Sequence, residues 1–354
     1  MHNIPKILPI ILAVLILGCE RNDSIDISDD AFLKALIEQG VDRNGDGMIC
    51  SCEAESITYL KVTSDSISDM SGIEAFINLD TLYCSYNLLT SLDLSQNTAL
   101  ILLGCSHNNL TALDISSNTL LQTLYCIYNP LSSLDLSNNP ELTILDVEGC
   151  QLTELDVTNQ PLLKSINCGW NQLTGLDLSV NSQLESIQCN VNHIPNLDLS
   201  GKPALNRLSC LGNLLNELDV SENTALIFLE CPGNQLTGLD LSQNASLEIL
   251  LCSVNQLTNL DLSMNPALKR IEAYENQLVS LDVSLNPALS TLDCSSNQIS
   301  SLDLSNNFNL EFLLLNLMPV LGEVCVWTMP FPPEGVWLET IYSPNVYFTD
   351  TCSK

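Results

Sequence analysis

The feature that most constrains this chain is a period. Aspartates in the motif Leu-Asp-(Leu/Val/Ile) stand at 93, 114, 135, 156, 177, 198, 219, 240, 261, 282 and 303, every step being 21 residues with no insertion. A second column, at 84, 105, 126, 168, 189, 210, 231, 252 and 294, is cysteine and lapses to Val147 and Ala273. A unit this short cannot bury its own apolar face, so units must stack into a solenoid with one strand each in a parallel sheet. The two or three globular domains usual for 354 residues therefore give way to one array. In "LYC", alternation sends Leu82 and Cys84 inward and Tyr83 and Ser85 outward. Asn87 and its equivalents follow each strand, turn the chain and should bond backbone groups along the stack, with Cys150 as the one replacement. The return leg "LTSLDLSQN" is too short and too rich in Ser and Asn for a helix, which predicts an extended convex side.

The unit L-x-x-L-x-C-x-x-N-x-L-x-x-L-D-L-S-x-N-x-x resembles the leucine-rich repeat over about residues 60 to 315. Its length, and a cysteine where a third leucine would stand, are most similar to the cysteine-ladder subclass of the internalins. The first unit, "LKVTSDSISDMSGIEAFINL", is cysteine-free and nearer the usual internalin form. The resemblance implies a mainly β, right-handed leucine-rich-repeat solenoid with a concave parallel sheet, a small helical N-terminal cap and a β-rich C-terminal cap. The expected divisions are a signal peptide over 1–18, a tether over 19–28, a cap over 29–57, repeats over 58–315 and a final cap over 316–354.

The two columns call for separate accounts. Free cysteine behaves as a small hydrophobe, so inward thiols read as core filling. Metal ligands would have to converge, and a column along a stack does not. Neighbouring Cβ atoms about 4.8 Å apart with parallel vectors also miss the roughly 3.8 Å of a disulfide. Asp93 lies between inward Leu92 and Leu94 and so points outward, into a row of like charges that repel by about 1 kcal/mol per hydrated pair. Hydrogen bonding to the Ser or Thr two residues later would offset this; a row of weak calcium sites is the alternative.

Ahead of the repeats, Phe32, Leu33, Leu36 and Ile37 stand at helical spacing after a candidate N-cap at Ser28. The following "DRNGDGMICSCE" matches the EF-hand loop, with Asp42, Asn44, Asp46 and Glu53 as side-chain ligands, the Met48 carbonyl as a fifth, and Gly47 at the sharp turn. Calcium is the cofactor this implies, and the alternative is a metal-free Asn-Gly turn. The truncated motif resembles the single half-hands of dockerins, which makes the expected task a staple for the cap. Cys50 and Cys52 are too close in sequence for an unstrained mutual bridge. Beyond Leu315 the period fails in a segment rich in Pro and Trp, bracketed by Cys325 and Cys352, which read as a disulfide closing the cap.

The first residues carry Lys6, an apolar run from Ile7 to Leu17 and then Gly18-Cys19, too few apolar residues to span a bilayer. The "ILGC" ending resembles a lipobox, which implies export and a lipid on Cys19 that holds the protein at a bacterial envelope, at the outer-membrane surface. The bland alternative is ordinary secretion. Acidic residues number 42 against 11 basic, a net charge of −31, which excludes nucleic acid and anionic membrane as partners and leaves the lipid as the only membrane contact. Neither the three histidines nor any serine or cysteine motif forms a catalytic set, so the chain is read as a non-enzyme and as a monomer.

A candidate binding face remains. Two residues beyond the cysteine column stand Tyr86, His107, Tyr128, Gly149 and Trp170, with Tyr83 and Tyr125 beside them. Stacked exposed aromatics suit either a protein hot spot or the faces of sugar rings. The bland alternative is packing against one another or against the N-terminal cap. The leading reading is adhesion or protein recognition, with a glycan-capture lipoprotein of a polysaccharide uptake system as the alternative. A structural surface-layer role comes third.

Overall fold

A computed structural model describes residues 24–352. The signal segment and Cys19 lie outside the described residues. Fourteen three-residue strands, from Tyr59–Lys61 to Trp337–Glu339, form one parallel sheet in chain order. The register follows the repeat: Leu82 pairs with Leu103 and Leu103 with Leu124, so equal residues stack on equal residues. The middle residue of every strand but the last is buried, and the flanks mostly face out, with Gly104 and Ser209 covered. Beyond the strand the backbone ladder continues, with Cys84 N–H donating to Gly104 O at 2.7 Å and Tyr86 N–H to Ser106 O at 2.9 Å. The inward leucines and cysteines merge into a single core running from the cap to Val326. The convex side is extended, as the composition of the return leg requires.

Two amide ladders run through this core. Asn108 of the first donates to Cys84 O at 3.0 Å and Cys105 O at 2.9 Å, and its Oδ1 accepts from Leu89 N–H at 3.1 Å. The second ladder has no counterpart in the sequence reading. In it Asn118 donates to Leu94 O at 3.1 Å and Asn97 O at 2.9 Å, while its own Oδ1 has no partner. Lys202 stands once in this second column and turns its Nζ to Ser200 O at 2.9 Å.

Among the described residues the ten free cysteines are the nine column residues and Cys150, all buried. Burial pushes the thiols of Cys84, Cys189, Cys252 and Cys294 up to about 12, which leaves them protonated and unreactive in the folded protein.

The cap helix α1 spans Asp30–Glu38 and buries Phe32 and Leu36 against the first turn, with Leu33 partly covered and Ile37 exposed. Its N-cap is Asp29 and not Ser28. The reason is reach: one Asp29 oxygen accepts from Ala31 and Phe32 N–H, and the other takes Ser68 N–H and Oγ–H and Asp69 N–H. Ser28 instead donates to Asp69. Gln39 uses its side-chain amide as a substitute strand, bonding both Lys61 N–H and Lys61 O and closing the sheet edge at the N-terminal end.

Burial opposes ionisation of Asp29, but the Ser68, Phe32 and Asp69 hydrogen bonds outweigh it and hold the carboxyl at about 2. A folded-state value below the unfolded one contributes stability that is present above about pH 4 and lost as pH falls through about 2. Solvent screening keeps the contribution to no more than about 2 kcal/mol. The stability gap between wild type and Asp29→Asn should therefore narrow over that window, as read by thermal melts from about pH 5 to 2. A gap that stays constant would mean that the clasp is not electrostatic.

At the other end the sequence period stops, but the coil continues. Phe312 pairs with Trp337, a 25-residue step, and a second sheet of three strands joins Leu302–Asp303, Glu323–Cys325 and Tyr347–Thr349. Residues 316–352 thus add irregular turns to the same solenoid, because backbone pairing does not require equal turn lengths. Cys325 and Cys352 form the expected disulfide, with a Cα–Cα distance of 5.3 Å.

Candidate recognition face

The aromatic residues occupy two rows. Tyr59, Tyr83 and Tyr125 stand on strands, on the outward face. Gly104 lies between the last two, and a Cβ there would come 2.7 Å from Tyr83 Cδ1, so that ring lies across the glycine. Tyr83 and Tyr125 are half-buried.

The second row, Tyr86, His107, Tyr128 and Trp170, does not project from the strands. They sit beyond the strand ends, in the turn that leads to the first Asn ladder, with φ of 59°, 54°, 51° and 54°. The whole column shares this left-handed backbone, including Val191, Val254, Gly149, Gly212 and Gly233. For residues with a Cβ such a conformation costs roughly 1–2 kcal/mol each, and glycine would avoid it. The recurrence of glycine in this column is the sequence signal that could have revealed the turn.

Within the row, Tyr86 stacks on His107 at 4.3 Å and 12°, and His107 meets Tyr128 at 5.1 Å and 37°. Tyr128 leans over Gly149, whose Cβ would fall 2.5 Å from Tyr128 Cδ1, and donates to Glu148 at 3.1 Å. That hydrogen bond raises the Tyr128 pKa, as does the carboxylate charge. Tyr86, His107 and Tyr128 thus support one another, which is part of what the packing alternative anticipated. Trp170 differs: it is 58% exposed, and no ring among the described residues stacks on it.

Farther along the sheet the outward residues turn acidic. Asp146 and Asp293 are half-buried, and burial raises both carboxyls. The arginines on this face are already engaged, Arg270 by Glu272 and Arg207 by the Phe228 ring 3.8 Å away.

On the convex side every column aspartate uses Oδ1 to accept an N–H two residues on, as Asp93 does from Ser95 at 2.9 Å and Asp303 from Ser305 at 2.9 Å. Asp156 also accepts the Thr158 hydroxyl at 2.6 Å. The Ser95 backbone hydrogen bond, then its hydroxyl, holds Asp93 below the usual carboxylate range. The column is a series of turn braces, and the shallow groove of about 650 Å³ beside Asp135, Asp156 and Asp177 is open to solvent.

The loop over 42–53 is wound on its own acidic residues. Asp42 accepts from Gly45 N–H at 2.7 Å and Gly47 N–H at 2.9 Å, and both glycines have positive φ. Asn44 accepts from Asp46 N–H, and Asp46 from Met48 N–H. Glu53, 4% exposed on the short helix α2 (Ser51–Ala54), accepts from Arg43, Asn44 and Cys50 N–H. The donors suit calcium in kind and in order, being hard oxygens drawn to one loop with Glu53 fixed beneath it. In this conformation they serve loop amides. Cys50 and Cys52 are both disulfide-bonded. No helix among the described residues is long and apolar enough to cross a membrane.

No family model matches the chain. A curated relative, internalin J of Listeria monocytogenes serotype 4b, is 51% identical over 43 residues, 12% of this chain and only 5% of that protein. The solved functional domain of internalin J from Listeria monocytogenes, which includes a cysteine ladder, is 32% identical over 79% of this chain and 70% of that one, with a TM-score of 0.61. An internalin structure from the same species covers 92% of this chain and 96% of its own at 20% identity and a TM-score of 0.78. A leucine-rich-repeat protein of Leptospira interrogans covers 88% of each chain at 19% identity and a TM-score of 0.72. The last two establish the fold alone.

Proposed function

The chain belongs to the internalin-type leucine-rich-repeat proteins with a cysteine ladder, and from that premise we propose that it recognises a protein partner through the N-terminal part of its concave face. The observation that carries this is Trp170, a large ring held in a left-handed turn, well exposed and without a ring partner, beside the prebuilt stack of Tyr86, His107 and Tyr128. Rigid aromatics give contact area at small entropic cost. The acidic residues on the same face, Asp146, Glu148, Glu230, Glu272 and Glu275, favour a basic partner. The test is capture from host or neighbouring-cell extracts set against a glycan array, comparing wild type with Trp170→Ala. A polysaccharide that binds wild type and not the variant would overturn the reading in favour of glycan capture.

The proposal includes export, lipid attachment at Cys19 and display at the outer-membrane surface as a monomer, supported by the "ILGC" sequence. It also includes calcium in the cap loop, held by Asp42, Asn44, Asp46, Glu53 and the Met48 carbonyl. The ion would brace the cap and carries out no chemistry of its own. Binding to the folded state alone stabilises by mass action, so calcium at 100 times its Kd should add about 2.7 kcal/mol and raise Tm. Asp42→Ala should abolish the shift. An equal shift in wild type and variant would remove the ion from this loop, and no shift in either would remove calcium from the account.

A further inference from the structure

The cysteine column is interrupted once in the first half of the array, at Val147, and in the same repeat a cysteine enters the Asn ladder at position 150. The two departures meet in space. Cys150 Sγ lies 3.2 Å from Cys126 O and 3.7 Å from Glu148 O, where an asparagine amide would have bonded. Each of the two thiols shifts the pKa of the other, that of Cys126 upward and that of Cys150 downward. Column neighbours hold their side chains parallel at one strand spacing, which keeps their sulfurs apart. Cys150 approaches from a different element, the turn, and escapes that constraint.

The same substitution rearranges the cover over the pair. Elsewhere the ladder oxygen accepts the N–H of the residue two beyond the preceding asparagine, as Asn129 does from Leu110 and Asn192 from Leu173. Cys150 offers no such oxygen, so Leu131 N–H turns back to Asn129 O at 2.9 Å and Ser132 adopts a φ of 57°. Pro130 has no N–H to extend the ladder. The segment over 129–133 thus leaves the ladder pattern and is tied to the next repeat by Ser132 N–H, which donates to Cys150 O at 3.3 Å.

We propose that Cys126 and Cys150 are a latent disulfide, a thiol-oxidation site at which small disulfides of an oxidising compartment join adjacent repeats covalently. Cys150 is the attacking sulfur. It takes this part because it sits in the turn, outside the column of parallel thiols, with its Sγ 3.2 Å from Cys126 O. The Cys150 thiolate attacks one sulfur of the external disulfide, breaks that bond and expels a thiolate, which takes up the proton Cys150 released. Cys126 then loses its proton and attacks the Cys150 sulfur, expelling the second thiolate, which is protonated in turn. Two protein thiols are oxidised and one external disulfide is reduced to two thiols. The staple would lie directly beneath Tyr128 and Gly149, but the inference does not depend on what that face binds.

The test incubates the native full-length chain with oxidised glutathione, traps remaining thiols by alkylation in denaturant, and maps pepsin peptides by mass. The expected result is one crosslink between Cys126 and Cys150, with loss of two hydrogens, while the other column thiols are alkylated intact. Cys150→Asn restores the residue used at this place in the other repeats, so it should fold and lose the crosslink. Cys84→Ala should keep it. Full alkylation of Cys126 and Cys150 in the treated wild type would overturn the proposal. So would a stable glutathione adduct on Cys150, or equal crosslinking between column neighbours such as Cys105 and Cys126.

Discussion

Asn171→Ala should lower the stability of the folded chain by about 4 kcal/mol, because one side chain there serves five buried backbone groups. Its Nδ2 donates to Val147 O, Cys168 O and Gly169 O at 2.9, 3.0 and 3.0 Å, and its Oδ1 accepts from Cys150 N–H at 3.1 Å and Leu152 N–H at 2.9 Å. Each buried group left unpaired costs roughly 1–3 kcal/mol, partly relieved by local movement. The comparison that makes this specific is Asn139→Ala in the second ladder. Asn139 donates to Ile115 O and Asn118 O, but its Oδ1 accepts nothing, so the same truncation should cost about half as much. Urea unfolding of both variants settles the order. A larger loss for Asn139→Ala would mean that the acceptor side of the first ladder contributes little.

The second large effect is on binding. Trp170→Ala should weaken the affinity for the protein partner by about 2 kcal/mol or more, roughly thirtyfold, and shift stability by no more than about 0.5 kcal/mol. The asymmetry follows from its surroundings: 58% of the residue is already in solvent, and no ring stacks on it. Truncation also relaxes nothing in the left-handed turn, since alanine bears a Cβ there as well. Titration calorimetry and a thermal melt on the same variant separate the outcomes. A stability loss with affinity intact would make Trp170 a packing residue and move the binding face elsewhere.

Much of the architecture was legible because a strict period converts directly into stacked columns. Leu82 and Cys84 pointing inward, the parallel register and the extended return leg all follow from alternation and spacing. What escaped the reading was local backbone geometry and side-chain reach. The left-handed turn at Tyr86 and Trp170 is a torsional property that hydropathy patterns do not encode, although Gly149, Gly212 and Gly233 marked the column. The N-cap moved from Ser28 to Asp29 because only a carboxylate with two free oxygens can serve helix and repeat together. The second ladder was hidden for a different reason: Asn97 and its equivalents look like ordinary turn residues until the stacked backbone above them supplies carbonyls to bond. The turns after Leu315 show the limit of periodicity itself, since the sheet continues where the pattern has ended.

The register that pairs Ile166 with Ile187 and Ile187 with Leu208 has a consequence for how such a chain can change its length. Each interior repeat offers its two neighbours the same leucine, thiol, amide and turn brace in the same places. A whole unit can therefore be excised or copied and the cut faces will still match, whereas a change of one or two residues within a unit would throw every column above it out of line. Lineages built this way should differ by entire turns. The cross-section is rigidly specified, and the span along the axis is left free to drift.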